Sequence, residues 1–318
     1  YHNIELCKPN GYSAYMSPNV WMFIKSYEQL RGYLISQKHI DSLIQIAKGA
    51  FYKDATVDIM TFVVKNCKSN DKGKFIRLED YKGSMEVQRV KTLEAMQDPG
   101  CGYYYETEQS NFEKIPGMPI AYWVSGSVLN IYKNISIYDI AKPCKGIDTG
   151  DNATFLRLWY EIMLFKQYVP SGEQLNSNDF TEYKWFPYNK GGSYKKWYGN
   201  NEYVINWVDN GSTLRNFKGS NLRNRDYYFR KGITWSTVTS GNLSLRYFPY
   251  GFLFDNGGCC LFANKFLEYT QGLLNSKVVK TLMGISPTIN YQPGDIGRIP
   301  FIISYEKEAI IESLVQKN

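Results

Sequence analysis

The chain has 318 residues, 43% of them hydrophobic and 21% charged, with a formal net charge of +7. That length can bury at least one full core and fits two domains. No run nears the ~18 apolar residues of a membrane span, and six cysteines without a C-x-x-C pair beside only two histidines argue against a zinc site.

The cysteines are therefore expected as free thiols of a reducing cytoplasm, with Cys259 and Cys260 as small buried residues after a glycine pair. Tyr1-His2-Asn3-Ile4-Glu5 lacks the basic start and apolar stretch of a signal peptide. With no Met there, the chain is expected to begin inside a longer protein.

In chain order, Gly11–Met16 reads as an extended run, and Ser17-Pro18 as the cap and first residue of a helical stretch. Ser26-x-x-Gln29 has the spacing of a capping box, followed by Leu30, Tyr33 and Leu34 on one helical face. Ile40–Ile46 and Val57–Val64 read as buried strands. Strand, helix, strand, strand is the closing portion of an α/β sheet, whose apolar face something outside the chain should cover. Residues 67–118 turn polar and charged and read as a partly folded connector, with a short helix near Ser84–Met96.

A second domain is expected from residue 119, mixed and β-rich, with strands near Tyr203–Trp207, Tyr227–Val238, Leu243–Phe248 and Gly251–Asp255. One helix is expected over Asn264–Met283, with Leu267, Leu274, Val278 and Leu282 inward. A last helix is expected over Glu306–Val315, inside a C-terminal segment 305–318.

Charge is concentrated. Residues 184–231 hold ten Lys and Arg against three acidic residues, a local excess of seven that equals the excess of the whole chain. The same window holds twelve aromatics and many Asn and Gly. Cations attract phosphate, rings pack on sugars and bases, and Asn bonds base edges, so the mixture fits nucleic acid; a solvated basic face on a β-rich domain is the plainer alternative. The electrostatic candidates are Lys190, Lys195, Lys196, Arg215, Lys218, Arg223, Arg225, Arg230 and Lys231. Arg223, Asn224 and Arg225 are the candidates for base reading, because Arg matches guanine and Asn adenine. Trp197, Tyr198 and Trp235 are either stacking platforms or, more often for such residues, strand packing. Asp71 with Asp80-x-Lys82 has a nuclease-like spacing, but the pattern is short and common by chance. Thr149-Gly150-Asp151-Asn152 reads as a turn, and His39 as an ordinary half-buried residue.

Several strings carry a resemblance. Gly11-Tyr12-Ser13 through Trp21, Leu30-Arg31, Ala50-Phe51 and Val57–Lys65 resemble the end of an adenine-specific DNA methyltransferase of the amino (gamma) group. Phe112-Glu113-Lys114-Ile115-Pro116-Gly117, Ile120-Ala121-Tyr122-Trp123, Tyr188-Asn189-Lys190-Gly191-Gly192, Lys196-Trp197-Tyr198-Gly199-Asn200 and Gly232-Ile233-Thr234-Trp235-Ser236 continue it. They are similar to the PglX methyltransferases of BREX phage defence and, more loosely, to type IIG restriction-modification enzymes. The resemblance implies that residues 1–66 are the C-terminal strands of a Rossmann-like methyltransferase sheet. It also implies a target recognition domain from about residue 130 to 304, within the second domain of residues 119–304. The tail strings Leu273–Lys277 and Ile299-Pro300-Phe301 also resemble type I specificity subunits, which leaves a non-catalytic subunit docking a separate methyltransferase as the alternative.

That family binds S-adenosylmethionine through a Gly-rich loop and does its chemistry with an N/D-P-P-Y/F motif, and neither occurs here. The resemblance therefore implies S-adenosylmethionine for the complete enzyme, no cofactor or catalytic residue in this chain, and no activity by this chain alone. Double-stranded DNA, the N-terminal part of the methyltransferase and other BREX proteins are the implied partners, in a prokaryotic cytoplasm. Adenine methylation needs the base flipped into an apolar, ring-walled pocket. By resemblance, Phe51 and Pro287 match walls of that pocket; by spacing alone, Phe51 is core filler and Pro287 a helix terminator.

Overall fold

The computed structural model describes residues 2–51, 57–175, 179–239, 241–286 and 289–318. The chain divides into two compact units, one made chiefly of residues 2–133 and the other of residues 134–284 with 289–318.

The first unit is built on a five-stranded mixed sheet of β1 (Tyr12–Pro18), β2 (His39–Gln45), β3 (Ile59–Lys65), β4 (Lys72–Arg77) and β5 (Tyr104–Glu108). Its order is β1-β3-β2-β4-β5, with β2 and β4 parallel and the other neighbours antiparallel. Residues 67–118, which read as a connector, thus supply two strands and the helix Met85–Gln97 to this unit. Their charge hid them: β4 alternates Lys72, Lys74 and Arg77 with buried Gly73, Phe75 and Ile76.

Ser17-Pro18 leads into a single 3-10 turn, Asn19–Met22, without a side-chain cap. The long helix, Glu28–Gln37, begins after a second such turn, so Ser26 does not cap it. What fixes the entry to that helix is Arg31, 1% exposed. Its guanidinium donates to the Trp21 carbonyl at 2.8 Å, to Ile24 at 2.8 Å, and twice to Gly117 at 2.9 and 2.7 Å. Five donors in a rigid fork satisfy three carbonyls from two distant segments, and no carboxylate is among these partners. On β4, the Tyr122 ring stacks on Phe75 at 4.6 Å, while the Arg77 guanidinium lies 4.3 Å from the Trp123 ring. The string Ile120-Ala121-Tyr122-Trp123 is therefore an anchor of this core.

The second unit is a mixed α/β body with two four-stranded sheets. In chain order its strands are β6 (Lys142–Cys144), β7 (Ile147–Asp148), β8 (Leu156–Leu158), β9 (Trp185–Asn189), β10 (Tyr203–Asn206), β11 (Asn221–Leu222), β12 (Gly232–Trp235), β13 (Leu245–Phe248), β14 (Leu253–Phe254) and β15 (Cys260–Phe262). One sheet runs β14-β9-β10-β8 and the other β13-β12-β15-β6, with β7 and β11 as a separate pair. A single aromatic core joins them: Phe186 and Tyr188 from β9, Trp207, Phe248, Phe254 and Phe262 belong to one buried cluster. Cys259 and Cys260 are buried as expected, Cys144 is buried as well, and burial pushes the Cys144 and Cys259 thiols up to about 12.

The helix expected over Asn264–Met283 is two helices, Leu267–Leu274 and Lys277–Met283. The Ser276 hydroxyl caps the second by accepting the Val279 N–H at 3.2 Å. A fresh start shifts the register, so Val279 turns inward at 1% exposed while Val278 faces out at 44%. The last helix is Glu308–Gln316. No helix among the described residues is long and apolar enough to cross a membrane.

Candidate nucleic-acid interface

The basic, ring-rich window of residues 184–231 separates by chemistry. Phe186, Tyr188, Trp207 and Tyr228 are buried in the core, whereas Lys195, Lys196, Arg215, Lys218, Arg225 and Arg230 are exposed. Burying the rings recovers apolar free energy and leaves the cations nowhere to go but outward. Most of the aromatics are thus a frame for the cations. Tyr194 and Tyr198, 54% and 57% exposed, and Phe217, 36% exposed, are the rings of the window left outside.

Lys190 and Arg223 converge on the turn that follows β14. The Lys190 ammonium lies 3.8 Å from the Asp255 carboxylate, which also accepts the Tyr188 hydroxyl at 2.8 Å and the Gly257 N–H at 2.6 Å. Arg223 donates to the Asn256 side-chain carbonyl at 3.2 Å. Asn224, in the left-handed region at φ 53°, spends its amide N–H on the Lys145 carbonyl at 2.8 Å. Asp255 and Asn256 were not foreseen as site residues. The string Asp255-Asn256-Gly257-Gly258 signals a turn, and only the fold shows that two of the cations gather there.

Gly191 and Gly192, at φ 85° and 136°, carry the chain out of β9. A side chain at Gly192 would come within 2.9 Å of Asn200. Ser236 holds this turn: its hydroxyl accepts the Gly192 N–H at 3.0 Å and donates to the Gly192 carbonyl at 2.9 Å. Beyond it, Lys195 pairs with Glu202 at 3.6 Å, and Lys196 donates to the Asn275 carbonyl at 3.0 Å. Trp197 adopts φ 70°, costly for a bulky residue. It is held by three bonds: its N–H to Leu245, and its carbonyl from Tyr247 and from the Gln271 side chain.

Other sites are placed as follows. Trp235 lies in β12, 0% exposed, with its indole N–H donated to the Tyr291 carbonyl at 2.8 Å. As a wholly buried ring it cannot stack on a ligand, which corrects its inclusion among the DNA-contacting candidates. Lys231 is half-buried just ahead of β12, and Arg230 lies over the Tyr227 ring at 5.4 Å. Phe51 is 40% exposed, so it is not core filler. Pro287 lies outside the described residues. Asp71 and Asp80 flank opposite ends of β4, a strand of six residues and so roughly 20 Å long, too far apart to share one metal ion. No cluster of three or more metal-ligating side chains occurs among the described residues. Asp151 caps a short helix by accepting the Thr154 N–H, so the 149–152 turn presents a carboxylate and not a phosphate grip. His39 is buried at 3%, deeper than expected.

The family described as Eco57I restriction-modification methylase matches residues 1–51. The adenine-specific methyltransferase PglX of Lacticaseibacillus casei (strain Zhang) is 35% identical over 99% of this chain and 27% of its own length. The adenine-specific methyltransferase BrxX of Escherichia coli O9:H4 (strain HS) is 35% identical over 99% of this chain and 26% of its own. This chain is a homologue of the PglX and BrxX methyltransferases. It spans about a quarter of the length of those relatives.

Solved structures show the same fold. The type IIL restriction-modification enzyme MmeI, solved in complex with DNA, superposes with a TM-score of 0.55 at 13% identity, over 97% of this chain and 42% of MmeI. A nuclease-deletion mutant of the type ISP enzyme LlaGI, solved with a DNA substrate mimic, gives 0.51 at 9% identity, over 97% of this chain and 29% of its own. DrdV, solved as a DNA complex, gives 0.51 at 9%, over 99% and 38%.

Proposed function

We propose that this chain is the duplex-recognition portion of an S-adenosylmethionine-dependent, adenine-specific DNA methyltransferase of BREX or restriction-modification defence. The observation that carries the reading is the sorting of residues 184–231, most rings packed inward and most cations exposed, in a homologue of PglX and BrxX. In this reading the first unit supplies the last strands of the Rossmann-like methyltransferase sheet, and the second is the target recognition domain. Lys195, Lys196, Arg215, Lys218, Arg225 and Arg230 meet phosphates. Lys190, Lys231, Arg223 and Asn224 line the same surface, and Trp197 and Tyr198 flank it. Phe51 and Pro287 wall the flipped adenine. The partners are double-stranded DNA, the N-terminal part of the methyltransferase and other BREX proteins.

The residues present do not fit S-adenosylmethionine. The chain has no Gly-rich loop and no N/D-P-P-Y/F motif. Of two clefts in the first unit, one of about 510 Å³ is lined by Ile4, Tyr15, Trp21, Leu30, Leu34 and Phe62 among others without a carboxylate, and one of about 450 Å³ has Glu106 as its single carboxylate, beside Lys114 and without a Gly-rich turn. In this reading the cofactor and the methyl transfer belong to the rest of the methyltransferase.

Duplex binding followed by fluorescence anisotropy across a salt series, with calorimetric titration of S-adenosylmethionine, tests this. The expected result is an affinity that falls steeply and log-linearly with salt, since each neutralised phosphate releases counterions, and no heat from the cofactor. Salt-insensitive binding, or tight cofactor binding by this chain, would contradict the reading.

A further inference from the structure

Between β8 and β9 the second unit exposes an unusual run of apolar residues. Trp159 is 46% exposed, Tyr160 63%, Met163 65%, Leu164 61%, Phe165 71% and Val169 68%. Single exposed apolar residues are ordinary, but six within eleven positions are not. The segment folds as two 3-10 turns, Trp159–Glu161 and Leu164–Lys166, and its first two rings meet edge to face at 5.6 Å. Its base is fixed. The Trp159 N–H donates to the Glu202 carbonyl at 2.9 Å, the Tyr168 N–H to Trp185 at 2.9 Å, and the Lys184 N–H to Lys166 at 2.9 Å. These are rigid points under an apolar tip.

We infer that this loop is a wedge that enters the duplex held by the basic surface and unstacks one base step, with Trp159 and Phe165 as the inserting rings. The inference rests on the duplex-recognition reading. Two observations favour nucleic acid as the occupant. First, the loop is continuous with the proposed interface: Glu202, which holds the Trp159 backbone, pairs its carboxylate with Lys195. Second, the cations nearest the tip are not engaged by carboxylates. Arg157, Lys166 and Lys184 form no ion pair with a carboxylate among the described residues, and the Lys166 and Lys184 ammoniums instead sit 6.0 and 5.5 Å from the rings of Phe165 and Trp185. Glu161, the one carboxylate within the apolar run 159–169, is turned back to accept the Leu158 N–H at 2.7 Å. Apolar side chains on a rigid base with cations beside them are the parts from which minor-groove wedges are made, the unstacking being offset by the surface that a bent duplex brings into reach.

The test uses this chain with a duplex of about 30 base pairs and mixed sequence, carrying donor and acceptor dyes at its ends and 2-aminopurine at successive steps. The wild type should bend the duplex and raise 2-aminopurine emission at one step. Trp159→Ala with Phe165→Ala should abolish both signals and weaken binding about tenfold. The salt slope should be unchanged, because neither ring meets a phosphate. Both residues are exposed, so the thermal midpoint should not move, and a moved midpoint would be met by repeating the test with Phe165→Ser alone. Binding without bending by the wild type, or equal bending by the variants, overturns the wedge while leaving the recognition surface intact; that outcome is also expected if a protein surface covers this loop. A wild type that binds no duplex overturns both readings.

Discussion

Replacing Arg31 by Met is expected to destabilise the first unit by about 3–5 kcal/mol, since the change leaves the carbonyls of Trp21, Ile24 and Gly117 without their donor. Met fills much of the volume, so the loss isolates the polar contribution. Burial lowers the basicity of this guanidinium, yet an Arg side chain stays protonated in proteins, so its charge is retained and spread over three carbonyls. Arg31→Lys should fall between the two, because one ammonium cannot span both segments with fork geometry. Guanidinium denaturation monitored on the aromatic signals measures this. A loss below about 1 kcal/mol for Met would mean that the carbonyls find other partners. The same joint accounts for two of the distinctive strings: Leu30-Arg31 and Ile115-Pro116-Gly117 are the two halves of one hydrogen-bonded connection.

Trp235→Ala should cost the second unit about 3–5 kcal/mol, because a fully buried indole leaves a cavity among strands that relax only partly. Trp235→Phe should cost about 1–3 kcal/mol, chiefly for the Tyr291 carbonyl left unpaired. Under conditions where the variants remain folded, duplex affinity and its salt slope should match the wild type. A Trp235→Phe variant of unaltered stability but weakened DNA binding would reinstate the stacking role that burial denies it.

What was legible in the sequence depended on how clearly burial wrote itself into local pattern. Apolar runs such as Ile40–Ile46 and Val57–Val64 marked β2 and β3, displaced by at most two residues. β4 and β5 escaped because their outward positions are charged, and β9 escaped because Trp185-Phe186-Pro187-Tyr188-Asn189 carries a Pro. Pro187 is paired with Val204 of β10 on one side only, since the β14 ladder begins at Tyr188, so its missing N–H is tolerated there. The break at Asn275–Ser276 was a capping signal inside an apolar run, and the run masked it. At the candidate site, the cations were readable as charge. The division of labour between rings and cations was not, because composition cannot say which face of a strand a ring occupies. The turn at Asp255–Gly258 that collects Lys190 and Arg223 is assembled from residues more than thirty positions apart, beyond the reach of any spacing rule.

The central claim is that the outward cations hold a duplex. Its most direct test is the quadruple variant Arg215→Ala, Lys218→Ala, Arg225→Ala and Arg230→Ala, compared with the wild type in duplex binding from low to moderate salt. All four side chains are exposed, so the thermal midpoint should stay put. The slope of log affinity against log salt should become shallower by about one unit for each phosphate no longer neutralised, on the order of three to four in all. An unchanged slope with unchanged affinity would contradict the account.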